Sequence, residues 1–414
     1  MKKFFTLLLS SCSILAANAQ IDGNGYYRGY NRNTERYIYV IDNAGKANIE
    51  ANQYDTQAVK LLKDHDLTLD DPASVLYGTN ISGSQWDLQA QGTGIKGITG
   101  LTIKVEGSNP NYKFSGTYDG QTVYLTDATT STTRAEGKLA TSGNYKYWGA
   151  SPLNQTDNYL GVTGKFEANG KYYTPYYVSF PFDFYSTGMK AWYVSKVDYD
   201  NNVVVIKEVE GVVQKSTPVI IEMSSKECVN NKLDLKDYTS NNNAPKDNLL
   251  SGVYFSYAAH RVEMSDGSWH VSYTEYDSAT MRVLSVKDNK LVYVNAGTDT
   301  ELLDYVQNAI DVDNKTYAKY MLKANQSYLT VPAGTADELT VMTEEEYAAA
   351  YPSYIPGDAN GDGKVLAIDL TLLTNVILGK TSESTINKQA VDFDNNNKLE
   401  AIDLTKLTNL ILGK

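Results

Sequence analysis

Acidic and amide residues near the C-terminal part of the chain recur at a spacing that suits a metal ion. Asp358, Asn360 and Asp362 hold the first, third and fifth positions of a twelve-residue stretch that closes at Asp369. Side chains at alternate positions of a tightly turned loop can converge on one centre, and Ca²⁺ takes roughly six to eight such oxygen ligands. The stretch therefore predicts a calcium loop.

The same pattern returns thirty-four residues later in the chain. Asp392, Asp394, Asn396 and Asp403 hold the equivalent four positions of a second twelve-residue stretch. Asp and Asn also cluster in ordinary turns. Because the whole unit is duplicated, we favour two calcium loops over two solvated turns.

Two further loop positions fit the same chemistry. The seventh position contributes a backbone carbonyl, so Lys364 and Lys398 are acceptable ligand residues there, with their ammonium groups pointing away. The sixth position needs a positive φ angle, which Gly363 adopts freely and Asn397 tolerates. The complete predicted ligand set is Asp358, Asn360, Asp362, Lys364 and Asp369, with Asp392, Asp394, Asn396, Lys398 and Asp403.

Each loop leads into a segment with apolar residues at helical spacing and a glycine stop, Gly379 or Gly413. The two segments are identical at twelve of fourteen positions, residues 367–380 against residues 401–414. The sequence therefore predicts one helix after each loop.

Two calcium loops, each followed by one helix and lacking the helix that precedes an EF-hand loop, resemble a dockerin type I domain. The resemblance covers residues 357–414. It implies two calcium ions and a cohesin-type partner, because dockerins bind cohesin domains on scaffold proteins. In related domains the residue pair before the last ligand helps to select the cohesin.

That residue pair is the same in both repeats. Ala367-Ile368 precedes Asp369 and Ala401-Ile402 precedes Asp403, so the resemblance implies an apolar contact presented twice with near two-fold symmetry. The repeats differ at the ninth loop position, where a polar residue often holds a water. Leu366 occupies it in the first loop, so we expect the first calcium site to be the weaker one.

The first nineteen residues have the features of a signal peptide. Two lysines precede a short apolar run, and Ala17-Asn18-Ala19 has the small-x-small form of a cleavage site. We therefore expect a protein that is secreted or held at the cell surface. Cys12 leaves lipidation open as an alternative.

Charge and cysteine content narrow the possible partners. The chain of 414 residues has a formal net charge of −12, and loss of residues 1–19 with their two lysines would make it −14. Such an acidic surface argues against nucleic acid and anionic membranes. No later apolar run has the length of a transmembrane segment. Cys228 alone would survive processing, so no internal disulfide is expected.

Residues 20–176 are rich in Tyr, Thr, Gly and Asn and predict a β domain. Four hairpin-like stretches have their second strands anchored at Tyr37, Trp86, Val123 and Tyr159. Copied units of this period favour a β-trefoil, and residues 27–40 resemble the opening strand pair of ricin-type trefoils. The QxW signature of ricin lectins is not obvious, and a β-sandwich is the competing fold.

Residues 177–342 predict a second all-β domain, sandwich-like, from strong alternation and β-branched residues. Its Phe-Pro-Phe, Gly-x-Lys-Ala-Trp and Thr-Pro-Val-Ile-Ile stretches resemble a module of secreted Bacteroidetes proteins. A short helix is expected over residues 299–309. Residues 343–356, acidic and proline-containing, predict a linker to the dockerin.

No residue of the chain is assigned a catalytic role. His65, His260 and His270 lack metal-ligand spacing, and no nucleophile or phosphate-loop motif occurs. Strand-borne carboxylates could still form a glycosidase pair. The candidates for such a pair are Asp183, Glu208, Glu222, Glu263 and Glu275.

Aromatic residues supply the other candidate site. Exposed rings stack on the C–H faces of sugars, and Tyr30, Trp86, Tyr118 and Trp148 lie at equivalent or nearby places in the four hairpin-like stretches. The leading hypothesis is a secreted, non-catalytic protein whose dockerin attaches β modules that bind carbohydrate or a cell surface, in polysaccharide use. The alternatives are a dockerin-bearing glycoside hydrolase and an adhesin that associates with itself.

Overall fold

The computed structural model places the described residues in two compact units, one up to Val341 and one from Met342. The structure describes residues 21–40, 59–62, 65–82, 85–91, 102–108, 111–118, 121–127, 134–140, 146–237, 244–255, 262–263, 269–270, 274–310, 315–352 and 354–413.

The first unit opens with a ten-stranded antiparallel sheet. Its strands are short and rich in aromatic and β-branched residues, as expected for half-buried β structure. They are β1 (Gly25–Asn31), β2 (Tyr37–Val40), β3 (Val59–Leu62), β4 (Leu76–Ser82), β5 (Gln85–Gln89), β6 (Thr102–Glu106), β7 (Lys113–Tyr118), β8 (Gln121–Asp127), β9 (Arg134–Ala140) and β10 (Trp148–Pro152).

The pairings of this sheet close on themselves. Strands β4 to β9 are antiparallel neighbours in chain order, and β9 then pairs with β3. Strand β3 pairs with β2, β2 with β1, and β1 with β4, while β10 lies along β1. Closure leaves few unpaired strand edges, which protects a β protein from edge-to-edge association.

Three of the four hairpin-like stretches form adjacent antiparallel pairs, β1–β2, β4–β5 and β7–β8. The fourth does not, because β10 pairs with β1 and Tyr159 lies outside the strands. A meander from β4 to β9 does not divide into three equivalent units. The mainly β class is confirmed, and the trefoil stays an unconfirmed prediction.

A second ten-stranded sheet follows in the same unit, in the order β11-β12-β16-β14-β15-β26-β22-β21-β25-β18. Its strands are β11 (Phe166–Ala168), β12 (Lys171–Tyr176), β14 (Lys190–Asp198), β15 (Val203–Glu208), β16 (Val219–Met223), β18 (Leu250–Val253), β21 (Met281–Lys287), β22 (Lys290–Val294), β25 (Gln326–Thr330) and β26 (Glu338–Thr343). Three two-stranded sheets accompany it: β13 (Phe182–Phe184) with β17 (Leu233–Leu235), β19 (Val262–Glu263) with β20 (Trp269–His270), and β23 (Leu303–Ile310) with β24 (Thr316–Leu322).

Two sequence expectations for this region differ from the structure. The second sheet begins at β11, ahead of the expected boundary at residue 176. The helix expected over residues 299–309 is wrong, because residues from Leu303 onward form β23 and pair with β24. Tyr305 and Val306 suit a strand, and cross-strand pairing with Tyr320 and Lys319 decides the outcome.

The two sheets share hydrophobic packing. Val75, just before β4, lies in one buried cluster with Tyr176, Val178 and Phe180, and Tyr26 packs against that cluster. A hydrogen bond also joins the first sheet to the segment after β17, since the Tyr26 hydroxyl donates to the carbonyl of Lys236 at 2.7 Å. This shared core explains why the described residues up to Val341 form one unit.

The second unit is helical. Its helices are α1 (Glu344–Ala350), α2 (Ala367–Ile377), α3 (Lys388–Val391) and α4 (Ala401–Ile411). The two helices predicted after the loops are thus confirmed as α2 and α4, which contact each other. The segment predicted as a linker contains α1, which is capped because Thr343 accepts from the N–H of Glu346 and Glu346 accepts from the N–H of Thr343.

A buried ion pair in the first sheet gives a test of this fold. The Arg36 guanidinium donates to both carboxylate oxygens of Asp127 at 2.8 and 3.0 Å, and both side chains are almost wholly buried. We expect Asp127→Ala to lower the free energy of unfolding by about 3–5 kcal/mol, because it leaves a buried charge unpaired.

The exposed pair Lys190–Glu208 provides the control, since about half of each side chain is accessible. Glu208→Ala should cost less than about 1 kcal/mol. Urea unfolding of the full chain measures both values. Equal losses would contradict the placement of Asp127 in the core.

Candidate metal centre and docking face

The residue predicted to be the first ligand of the first loop is buried and fixes the turn. The Asp358 carboxylate is 4% exposed. Its Oδ1 accepts from the backbone N–H groups of Gly361 at 2.8 Å and Asp362 at 3.2 Å, and its Oδ2 accepts from Gly363 at 2.8 Å. Three amides wrapped around one carboxylate curl the loop so that its alternate side chains face one centre.

The residue predicted to be the last ligand of each loop is fully buried and lies in the first turn of a helix. Asp369 lies at the third position of α2, and its two oxygens accept from the N–H groups of Asn360 at 3.2 Å and Leu366 at 2.8 Å. Asp403 in α4 does the same with Phe393 at 2.8 Å and Glu400 at 2.9 Å. Each carboxylate therefore joins its loop to the start of its helix.

Backbone conformation agrees with the predicted loop positions. Gly363 and Asn397 have φ angles of 84° and 60°, which confirms the positive φ expected at the sixth position. Gly361 and Asn395 also have positive φ, at 73° and 55°. Sequence reasoning missed this fourth position, although Gly and Asn there were the available signal.

The second loop gathers three carboxylates at one point. Asp392, Asp394 and Asp403 each offer an oxygen within 4.8 Å of the others. Asp392 Oδ1 is buried without a hydrogen-bond partner, while its Oδ2 accepts from Asn397 N–H at 2.9 Å. A buried unpaired carboxylate oxygen beside two more carboxylates is the donor set that Ca²⁺ prefers. These residues fit the ion.

The two loops are not equivalent. In the part of the chain that the structure describes, the first loop forms no such group of three carboxylates. The Asn360 side-chain amide donates to Asp362 Oδ2 at 3.0 Å, and Leu366, 49% exposed, contributes no oxygen from its side chain. That the first site is the weaker one stays a prediction. The Lys364 and Lys398 side chains are exposed, as a carbonyl-ligand role requires.

Backbone hydrogen bonds hold the two loops together. The N–H of Gly357 donates to Ala390 at 2.6 Å, and the N–H of Asn387 donates to Ala359 at 2.8 Å. Gly357 has φ of 95°, and a Cβ there would lie only 2.8 Å from Val365 and 2.9 Å from Leu410. Only glycine suits this close approach, and no sequence motif marked Gly357 for this role.

Comparison with protein families accounts for this unit. A family model for the dockerin type I domain matches residues 356–412. Residues 356–412 form a dockerin type I domain. No curated protein and no solved structure matches the chain.

The dockerin assignment carries function with it. Dockerin type I domains bind calcium, and the domain implies calcium-dependent binding to a cohesin partner. Proteins that carry dockerins are generally extracellular or at the cell surface. Among the described helices, none is long and apolar enough to cross a membrane.

The structure places the predicted docking pairs on the dockerin surface. Ala367 and Ile368 open α2, and Ala401 and Ile402 open α4. All four residues are exposed, with 49% of Ile368 and 46% of Ile402 accessible. Two similar apolar patches thus lie beside the two predicted calcium loops.

Two of the four aromatic residues predicted to stack on sugars are buried in the core. Trp148 is wholly buried, stacks on Phe114 at 5.3 Å and donates its indole N–H to Leu125, so it cannot meet a sugar. Tyr30 is also buried, at 9% exposure. Trp86 is partly buried against the same core, and the Tyr118 side chain lies outside the described residues. Trp148 and Tyr30 thus pack in the hydrophobic core and are not available to stack on a sugar.

Several of the strand carboxylates considered for a glycosidase pair already have partners. Glu208 and Glu275 form ion pairs with Lys190 and Lys319, at 2.6 and 2.7 Å. Glu222 accepts from the indole N–H of Trp192 at 2.9 Å. Such contacts are ordinary for strand surfaces, so they give the hydrolase alternative no added support.

The carboxylate cluster predicts opposite effects of one substitution with and without calcium. We expect Asp394→Asn to raise the stability of residues 342–414 by on the order of 1 kcal/mol in EGTA, because it relieves repulsion among three close carboxylates. In excess calcium the same change should lower stability, because a charged ligand is lost. Thermal unfolding followed by far-UV circular dichroism measures both.

Glu383→Gln is the matched control, since Glu383 lies outside both loops and pairs with Lys388. It should change stability equally in EGTA and in calcium. A destabilising Asp394→Asn effect of the same size in both conditions would contradict a metal centre at this cluster.

Proposed function

We propose that this protein is exported, binds one calcium ion in each dockerin loop, and uses its dockerin to attach a carbohydrate-binding β unit to a cohesin-bearing partner. The observation that supports the docking role best is the exposed Ala-Ile pair at the start of both α2 and α4. Each pair lies immediately before a buried calcium-ligand residue, Asp369 or Asp403. One peptide bond therefore joins each apolar pair to a residue that we propose as a calcium ligand, so calcium binding can fix the position of the pair.

The near identity of the repeats supports two alternative docking orientations. The two faces carry the same residues at matching places on helices that contact each other. A partner that recognises one Ala-Ile pair can recognise the other after a rotation of about half a turn. We propose that either face can bind the cohesin.

The support for carbohydrate binding comes from exposed tyrosines rather than from the rings singled out in the sequence. On the β23–β24 pair, Tyr305 is 50% exposed and its ring centre lies 5.0 Å from that of Tyr320. A rigid, accessible ring pair of this kind can stack on the C–H face of a sugar and hydrogen-bond through its hydroxyls. We infer a role in polysaccharide use from this surface together with the dockerin.

The docking proposal predicts the effect of placing a charge on either face. Ile368→Asp and Ile402→Asp should each weaken binding to a cohesin by less than about tenfold, because the other face remains. The double substitution should weaken it by about 100-fold or more, because both apolar contacts are then charged. Surface plasmon resonance against a cohesin that binds the wild-type chain measures this.

Val229→Asp is the control, because Val229 is an equally exposed valine, 50% accessible, in the other unit. It should leave binding unchanged. If one single substitution alone abolished binding, the two faces would not be alternatives.

The proposed carbohydrate binding is tested by affinity electrophoresis of the full chain through gels that contain soluble polysaccharides. Retardation by at least one polysaccharide, reduced by Tyr305→Ala, is the expected result. Unretarded migration in every gel would overturn the carbohydrate role and leave the docking role intact.

A further inference from the structure

A cavity of about 570 Å³ lies in the second sheet's part of the first unit. Its lining comes from β11, β12, β21 and β25 and from the turn at residues 299–302. Small-molecule sites in proteins commonly have volumes of roughly 300–1,000 Å³. The cavity is therefore large enough for a ligand of one or two sugar units.

Lys165 contributes a positive charge to the lining of this cavity. Its backbone is fixed, since its N–H donates to Tyr173 at 3.1 Å and to the hydroxyl of Thr174 at 3.2 Å. Its ammonium makes no hydrogen bond or ion pair with any described residue. Desolvation by the surrounding protein lowers the pKa of the Lys165 ammonium. The residue is nevertheless accessible to solvent, so its charge can meet a ligand.

A second lysine stands close to the first. Lys323 also lines the cavity, and its ammonium donates to the carbonyls of Glu301 at 2.7 Å and Thr300 at 3.3 Å. An ammonium has three N–H donors, so one is left for a ligand. The charge of Lys323 further lowers the pKa of Lys165, while Asp304 and Asp70 act in the opposite direction. A bound anion would relieve this repulsion between like charges.

Gln326 adds a neutral polar group to the wall of the cavity. It lines the cavity and is 4% exposed, yet its side-chain amide makes no hydrogen bond to a described residue. The amide is therefore open to a ligand in the cavity.

The rest of the lining limits what that ligand can be. Glu167, Asp299 and Glu301 are exposed carboxylates at the same cavity, so a ligand with dense negative charge would be repelled. A saccharide with no more than one carboxylate per sugar unit and with several hydroxyls would meet lysines at one end and acceptors at the other. Phe166 offers a half-exposed ring for an apolar face.

We propose that this cavity binds a small acidic saccharide, with its carboxylate held by Lys165 and Lys323 and a neighbouring hydroxyl by the amide of Gln326. The choice of a saccharide over other small carboxylates rests on the proposed carbohydrate role. The choice of a carboxylate rests on the two lysines alone.

The test is isothermal titration calorimetry of the full chain with α-1,4-linked digalacturonic acid and with its neutral counterpart, galactobiose. We expect the acid to bind at least about tenfold more tightly, as a charge-assisted hydrogen bond to a carboxylate allows. Lys165→Met should weaken the acid by a similar factor and leave galactobiose unchanged. Gln326→Leu, which keeps the side chain's approximate size, should weaken both.

Lys290→Met is the matched control, because Lys290 is exposed on β22 and does not line the cavity. It should change nothing, and thermal unfolding should show that each variant is folded. Equal binding of acid and neutral sugar, no binding of the acid, or no effect of Lys165→Met overturns the assignment. Glutamate binding as tightly as the disaccharide acid would overturn the saccharide class.

The outcome is separable from that of the proposed function. If a polysaccharide gel retards the full chain and calorimetry shows no binding of digalacturonic acid, the carbohydrate role stands and the cavity assignment fails. If the acid binds as expected but Tyr305→Ala is without effect in gels, the cavity assignment stands and the tyrosine surface fails.

Discussion

Two carboxylates without access to solvent, Asp369 and Asp403, set the arrangement of the whole dockerin. Each accepts one hydrogen bond from an earlier residue of its loop and one from the residue just before its helix. The position in the first helical turn suits a negative charge, because unpaired N–H groups and the helix dipole face it. Ile368 and Ile402 precede these carboxylates by one residue, so the geometry of the predicted ion site also sets where the proposed docking residues lie.

This constraint explains why so small a core suffices. Only a few residues of the second unit are fully buried, with Leu373 and Leu407 at the contact between α2 and α4. Small domains usually need a metal, a disulfide or exceptional packing to be stable. Three carboxylates whose oxygens lie within 4.8 Å of one another repel each other unless a cation joins them, so we expect metal binding and folding to be coupled.

The calcium loops and their helices could be predicted because their information is local. Ligand spacing, the positive φ of Gly363 and the helices after each loop all follow from residues within one repeat. The β unit depends instead on pairings between distant residues, such as β1 with β4 and β3 with β9. Alternation predicts strands but does not say which strands pair, and it left the trefoil without confirmation.

The aromatic residues show the same limit at the level of single side chains. Trp148 and Tyr30 had the residue type for a sugar platform, but a β fold of this size needs large rings in its core, and both are buried there. Lys165 and Gln326 carried no motif at all. Both residues line one cavity only because the fold brings β11 and β25 together, and sequence spacing cannot show this.

The central claim is that this chain attaches to a partner through a calcium-dependent dockerin. The most direct measurement is surface plasmon resonance of the full chain over a panel of immobilised cohesin domains, first in calcium and then in EGTA. The account predicts binding to at least one cohesin in calcium and its loss in EGTA. Absence of binding to every cohesin, or binding that persists unchanged in EGTA, would contradict it.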